Sequence, residues 1–216
     1  IDLKFVLKMK RKIKICGITS LEDADNSLQF GADVLGFNLY SKSKRYIDLN
    51  TSSDLIGQIS IPFEKVFVFV NEDEGYVAEC LKEVPDAIPQ FHGEEDPVYC
   101  ESFGRNYIKA IRVKKGVDLE DSFRKFYSAS MMLLDSYVKE SYGGTGSSFD
   151  WDLIDGHLEK PFFLAGGLNF SNLGEALKKI NPAGIDLNSG VELSPGIKDK
   201  TKLKDCIKFI RESDDR

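Results

Sequence analysis

The chain of 216 residues is 42% hydrophobic and 30% charged, with a net charge of −6, the balance of an ordinary globular domain. No apolar run approaches the ~18–20 residues that would span a bilayer. The first twelve residues lack the apolar core and small-residue cleavage site of a signal peptide, and no long basic run marks a nucleic-acid partner. An anionic ligand would need local groups to hold it, because the overall field weakly repels it.

Four cysteines, Cys16, Cys80, Cys100 and Cys206, form no C-x-x-C pair, and only His92 and His157 stand beside them. A zinc site is therefore not expected. The expectation is free thiols in a reducing cytoplasm, a structural reading taken for all but Cys16.

Residues 1–9 are set apart as an N-terminal extension, native or not, because Met9 immediately precedes the first convincing strand. Residues 10–216 then read as one domain. Strands are predicted at 12–17, 33–39, 65–70, 86–91, 107–113, 130–135, 161–165 and 183–188, as short apolar runs followed by turn signals. Between them, "SLEDADNSLQFG" opens on a Ser20 cap, carries Asp23 at the third helical position and closes on Gly31. "NEDEGYVAECLKEV" begins at Asn71 with acids that suit the positive end of a helix. "NFSNLGEALKKIN" and "DKTKLKDCIKFIRE" carry apolar residues at helical spacing. The stretch around 41–60 is ambiguous, and 136–149 reads as a Gly- and Ser-rich loop.

Strands alternating with helices imply βαβ units and parallel pairing. Eight such units in about 200 residues fit a single closed (β/α)8 TIM barrel, near the short end of that fold's range. A doubly wound open sheet is the alternative, but no G-x-G-x-x-G follows the first strand. In such a barrel the chemistry lies at the C-terminal ends of the strands. Cys16, Asn71, His92, Asp135, Gly166–Gly167 and Asn188–Gly190 all fall there.

Side chains on a strand alternate between barrel interior and helical shell. If Cys16 points inward, Lys14 does too, with Ile13 and Ile15 outside. The same parity groups Asp186 with Asn188 and leaves Ile185 and Leu187 outside. Since the eighth strand lies beside the first, Lys14 and Asp186 are expected to pair beneath the mouth.

Eight blocks then occur in register: "KIKICGITSLEDA", "GADVLGFNLYSKSKRYI", "QFHGEE", "YIKAIRV", "LLDS", "GGTGSSFDW", "FFLAGGLNFSNLGEAL" and "GIDLNSGVE" followed by "PGIKD". Together, over Lys12 to Asp199, they resemble the phosphoribosylanthranilate isomerase family of tryptophan biosynthesis. The resemblance implies a cofactor-free Amadori rearrangement of an aminoaldose phosphate to an aminoketose phosphate. It also implies a small phosphorylated substrate, no nucleic-acid or membrane partner, and a monomer or homodimer. Carried over by motif, Cys16 would be the general base and Asp135 the general acid. A free thiol has a pKa near ~8.5, so Cys16 needs help, which an inward Lys14 would supply by favouring the thiolate. Asp135 must instead hold its proton well above the ordinary ~3.9, as desolvation at the mouth would favour. Without the surrounding blocks, Cys16 would read as packing and Asp135 as a cap.

Arg45 matches the family arginine that holds the anthranilate carboxylate, for which a guanidinium offers a bidentate fork. Taken alone, amid Lys42 and Lys44, it would read as a solvated loop arginine. The phosphate is expected between Gly166–Gly167 and Ser189–Gly190, where barrels frequently bind this group through backbone N–H groups. Gly143–Gly146 reads as a loop over the substrate rather than a phosphate cradle, because no Gly-Lys-Ser/Thr follows. His92 is either a residue orienting groups at the mouth or an ordinary hydrogen-bonded histidine; His157 reads as surface. Asp186 is a supporting substrate-site residue that holds Lys14 or a phosphate-loop amide. Two positions depart from the family pattern: Lys44 where a proline is common before the arginine, and Asn188 in place of serine. A related histidine-biosynthesis isomerase would use an aspartate base on the first strand, and a non-catalytic sensor would lack Cys16 or Asp135.

Overall fold

The computed structural model describes residues 10–136, 151–154 and 158–215. Eight parallel strands close into a barrel in chain order: β1 Lys12–Cys16, β2 Val34–Asn38, β3 Glu64–Phe69, β4 Ile88–Phe91, β5 Ile108–Val113, β6 Met131–Ser136, β7 Phe162–Leu164 and β8 Gly184–Leu187. Seven helices occur among the described residues: α1 Leu21–Gln29, α2 Leu49–Gln58, α3 Glu74–Glu83, α4 Pro97–Glu101, α5 Leu119–Lys125, α6 Leu173–Lys179 and α7 Lys200–Asp214. After β8 the chain makes a 3-10 turn, Ser189–Val191, and a hairpin of β9 Glu192–Ser194 and β10 Ile197–Lys198 before α7. The TIM barrel expected from the alternation is the fold observed.

The closure sets a two-layer interior. A large apolar shell between strands and helices holds Ile13, Ile15, Ile185 and Leu187 with buried residues of the helices such as Ala24, Leu203 and Ile207. A separate cluster inside the barrel holds Cys16, Val34, Val66, Val68, Ile108, Ala110, Leu133, Phe163 and Ala165. The parity read from β1 and β8 is therefore the parity found. Apart from Phe163, the inner cluster is built from small and branched side chains. At Gly36 an added Cβ would lie 3.0 Å from the Cys16 sulfur and 3.2 Å from the Lys14 side chain, so the absent side chain lets both fit.

β8 pairs with β1 so that Lys14 stands opposite Asp186. The Lys14 ammonium donates to Asp186 Oδ1 at 3.0 Å, and Lys14 is 0% exposed. Two charges with almost no water around them are tolerable only because each answers the other.

The helix starts follow local chemistry. Ser20 accepts from the Asp23 amide at 3.2 Å, as expected, and Asp199 caps α7 through the amides of Thr201 and Lys202. The ambiguous 41–60 stretch contains α2, whose Asp48 cap accepts from the Thr51 amide at 3.0 Å. One start is corrected. α3 is capped by Asp73, not begun at Asn71. Asn71 adopts a left-handed conformation, φ 51°, which asparagine tolerates better than most residues. Its amide donates to Glu95 at 2.7 Å and its side-chain oxygen accepts from the Glu94 amide at 2.7 Å. It therefore ties the end of β3 to the loop after β4. The fourth strand also starts two residues later than expected, because the Ala87 amide turns back to the Val84 carbonyl.

Replacing Lys14 by Met should leave Asp186 buried without its counter-ion, costing about 3–5 kcal/mol. Pairing Lys14→Met with Asp186→Leu should cost clearly less than the sum of the single changes. Equilibrium denaturation of the three variants checks this, and additive losses would refute the coupling.

Candidate active site

The C-terminal ends of the strands surround one cavity lined by Cys16, Arg45, His92, Asp135, Asp186, Gly166–Gly167 and Ser189–Gly190. The expected catalytic and substrate-binding residues thus lie at one mouth, whereas Asn71, also expected there, does not line the cavity and instead ties β3 to the loop after β4. Of the other segments singled out above, residues 1–9, Gly143–Gly146, the 136–149 loop beyond Ser136 and His157 lie outside the described residues.

On the β1 side, Cys16 rests above Lys14. The helping effect of Lys14 on the thiol has the expected sign, but the net outcome is corrected. Burial pushes the Cys16 thiol up, Lys14 pulls it down, Asp186 pushes it further up, and burial prevails. For Lys14, burial alone would lower the ammonium's pKa, but Asp186 and the thiol together hold it above its ordinary value. The ammonium form of Lys14 is thereby favoured, while burial pushes the Asp186 carboxyl up against the pull of Lys14. A second lysine approaches from the hairpin after β8: Lys198 donates to the Cys16 carbonyl at 2.6 Å, to Glu192 at 2.9 Å and to the Asn188 side chain at 3.1 Å. It fixes the backbone of the cysteine to the loop expected to hold the phosphate.

On the opposite side, Asp135, next to last in β6, has both oxygens engaged. Oδ1 accepts the Ser136 amide at 2.7 Å, and Oδ2 lies 3.1 Å from His92 Nε2. His92 Nδ1 lies 3.1 Å from the amide nitrogen of Gln90. The histidine thus lines the mouth and is hydrogen-bonded on both ring nitrogens. Its loop is clamped from beneath. Glu95 accepts from the Asn71 and Gly93 amides, and Lys109 of β5 donates to Glu95 at 2.7 Å and to the Gly93 carbonyl at 2.8 Å. Lys109 and Glu95 are both buried, so this pair acts with little competition from water.

Arg45 is not a solvated loop residue. It is buried, with Nε 2.9 Å and Nη2 2.6 Å from Glu192. The Ser43 hydroxyl accepts the Arg45 amide at 3.1 Å, so the turn is ordered by its own side chains despite Lys44 in place of proline. Burial alone would raise the Glu192 carboxyl, but Arg45 and Lys198 together hold it below its ordinary value. One edge of the guanidinium is thereby fixed while its residue lines the cavity.

Gly166 and Gly167 both have positive φ, 86° and 61°, a conformation that glycine adopts without penalty. Gly190 packs so tightly on the Leu168 carbonyl that a Cβ would collide with it. The loops after β7 and β8 therefore meet as bare backbone, the surface that an oxyanion accepts best. Asp186 holds Lys14, the first of the two roles expected of it.

Sequence reasoning missed Gln90, Glu192, Lys198 and the Glu95–Lys109 pair. Glu192 and Lys198 lie inside the "GVE" and "PGIKD" blocks, and acidic and basic residues repeatedly placed after the last strand were the available signal. Among the described residues, no group of three or more His, Cys, Asp and Glu side chains is placed to hold a metal ion. No described helix is long and apolar enough to cross a membrane.

The chain has counterparts among known proteins. The family model for N-(5'-phosphoribosyl)anthranilate (PRA) isomerase matches residues 13–209. The N-(5'-phosphoribosyl)anthranilate isomerase of Pseudomonas putida (strain GB-1) is 41% identical over 200 residues, covering 93% of this chain and 97% of the relative. The crystal structure of phosphoribosyl anthranilate isomerase from Thermotoga maritima superposes with a TM-score of 0.84 at 36% identity, covering 94% of this chain and 100% of that one. A phosphoribosyl anthranilate isomerase solved in complex with reduced 1-(o-carboxyphenylamino)-1-deoxyribulose 5-phosphate superposes with a TM-score of 0.79 at 33% identity, covering 94% and 100%. With a family match across nearly the whole barrel, the chain belongs to the phosphoribosylanthranilate isomerase family.

Proposed function

We propose that this chain converts N-(5-phosphoribosyl)anthranilate to 1-(2-carboxyphenylamino)-1-deoxyribulose 5-phosphate, an isomerisation step of tryptophan biosynthesis, with Asp135 as general acid and Cys16 as general base. The observation that carries this reading is the placement of a thiol above a buried lysine and a histidine-bound carboxyl around one cavity. The relative solved with a reduced form of the named product supports the same substrate class: a small phosphorylated molecule. The acting unit is a monomer or a homodimer.

Asp135 gives its proton to the furanose ring oxygen as the bond from that oxygen to C1 breaks. The anthranilate nitrogen supplies the electron pair, leaving a protonated Schiff base. The Cys16 thiolate then takes the proton from C2, and that electron pair moves through the C1–C2 bond to neutralise the iminium nitrogen. The enolamine tautomerises to the ketone. No external electron sink is needed, because the substrate nitrogen performs that role. The raised thiol of the ligand-free site has a physical answer in this sequence. Positive charge develops on the Schiff base beside Cys16, adding to Lys14 and favouring the thiolate when it is needed.

At the substrate's two ends, Arg45 is assigned the anthranilate carboxylate, with Glu192 orienting its fork. The bare backbone of Gly166–Gly167 and Ser189–Gly190 is assigned the phosphate. Local cations and amides thereby overcome the repulsion expected from a net charge of −6.

Three outcomes follow from these assignments, read from the loss of anthranilate fluorescence as the substrate is generated in situ. Cys16→Ala and Asp135→Asn should each lower kcat by ~100-fold or more; wild-type rates in either would remove that residue from the mechanism. Arg45→Lys, which keeps the charge but loses the planar fork, should raise KM by about tenfold with a smaller change in kcat. Because the thiol of the free enzyme is raised and the base must be deprotonated, kcat/KM should still be increasing above about pH 8.5, the ordinary cysteine value. A profile that levels off below pH 7 would contradict this origin of the basic limb.

A further inference from the structure

Gln90 has no part in the chemistry above, yet it is 0% exposed and belongs to the cavity wall. It lies on β4 two residues before His92, hence on the same face. Its amide nitrogen is 3.1 Å from His92 Nδ1, while His92 Nε2 is 3.1 Å from Asp135 Oδ2. The Gln90 oxygen is buried with no hydrogen-bond partner among the described residues. A buried polar atom left unpaired costs free energy, and such atoms call for an explanation in function.

A neutral imidazole carries one ring proton, and its position is set by the partners of the two nitrogens. Asp135 Oδ1 already accepts the Ser136 amide at 2.7 Å, so its carboxylate form is completed by a second donor, Nε2–H. Nδ1 is then bare and needs a donor, which the Gln90 amide provides. The reverse orientation of the Gln90 amide would answer its oxygen only with an Nδ1–H, and would move its N–H groups to the place where the oxygen now has no partner among the described residues. An orphaned N–H is rarer in proteins than an under-satisfied C=O. Two carboxyls face this imidazole, Asp135 from β6 and Asp186 from β8, and Asp186 is already answered by Lys14.

We propose that Gln90 is a positioning residue of the acid half of the site: it keeps His92 Nδ1 bare, so that the ring's single proton sits on Nε2 and faces Asp135. The inference rests on the reading of Asp135 as the acid. With Nε2 already protonated, neutral His92 cannot accept the Asp135 proton at that nitrogen. The transferable proton on the carboxyl therefore passes to the substrate's ring oxygen. The carboxylate left behind receives two hydrogen bonds, from Nε2–H and from the Ser136 amide. If the ring proton were on Nδ1 instead, Nε2 would accept from the carboxyl O–H and compete with the substrate for it.

The chain contains two histidines, so His157→Gln leaves a single imidazole, whose tautomer nitrogen-15 NMR reads directly at neutral pH without reference to activity. In that background Nε2 should be protonated and Nδ1 bare. Gln90→Leu should shift population to the Nδ1–H form and lower kcat by about tenfold or more, a part of what a general acid supplies, with KM nearly unchanged. Gln90→Glu keeps the shape but offers an acceptor to Nδ1. It should produce an Nδ1-protonated ring and displace the acidic limb of the kcat profile. A parent imidazole protonated on Nδ1 overturns the proposal, whether or not the variants fold. An unchanged tautomer or an unchanged kcat in Gln90→Leu overturns it as well. Asp135→Asn kinetics decide the acid assignment separately: an active Asp135→Asn enzyme would remove the acid while leaving the measured tautomer standing.

Discussion

The molecule depends on one buried ion pair, Lys14 with Asp186, across the seam where β8 meets β1. It lies where the sheet closes on itself, so it belongs to the fold and to the site at once. Lys14 is 0% exposed and its nitrogen is 3.0 Å from the carboxylate. Neither ion would remain charged there without the other. The cation so retained lies under the Cys16 sulfur, with Gly36 leaving the space for both. Closure of the barrel therefore supplies a positive charge beneath the reactive thiol.

The mouth is organised as two halves held by different scaffolds. The half around Cys16 is fixed by β1, β8 and the hairpin that follows, through Lys198 on the Cys16 carbonyl and on Glu192. The half around Asp135 is fixed by β4, β5 and β6, through the Gln90–His92–Asp135 chain and the Glu95–Lys109 clamp. Each reactive group has buried partners of its own, so its surroundings are set before substrate arrives. Such preorganisation lets fixed dipoles and charges act without reorienting during reaction.

The electrostatics oppose the average charge of the chain. A protein of net charge −6 gathers Lys14, Arg45 and Lys198 at one mouth and matches them with Asp186 and Glu192. These carboxylates hold the cations in place and limit the repulsion among them. Where the phosphate is proposed to bind, the glycine turns after β7 and β8 offer backbone rather than side chains. On the proposed assignment, a ligand bearing two anionic ends meets a guanidinium at one end and amides at the other.

How much of the molecule is legible in its sequence follows from the range of each interaction. Strand parity is a local property with a period of two, so inward Cys16 and Lys14, outward Ile13 and Ile15, and the matching set on β8 follow from chain neighbours alone. Adding the closure of an eight-stranded barrel is enough to place Asp186 opposite Lys14. Asn71 misleads because a run of acids resembles a helix start, whereas its amide is engaged by Glu95, 24 residues further along. Burial of Cys16 outweighs the lysine beneath it, and a sequence does not display desolvation. The Arg45–Glu192 contact spans 147 residues and ends on a hairpin with no periodicity to announce it. The sequence by itself determined the strands, their faces and the polar residues at their ends, because these follow from neighbours in the chain. Only the tertiary structure decided which charges meet, which are dried and which carboxyl a histidine contacts, because these depend on loops that closure brings together.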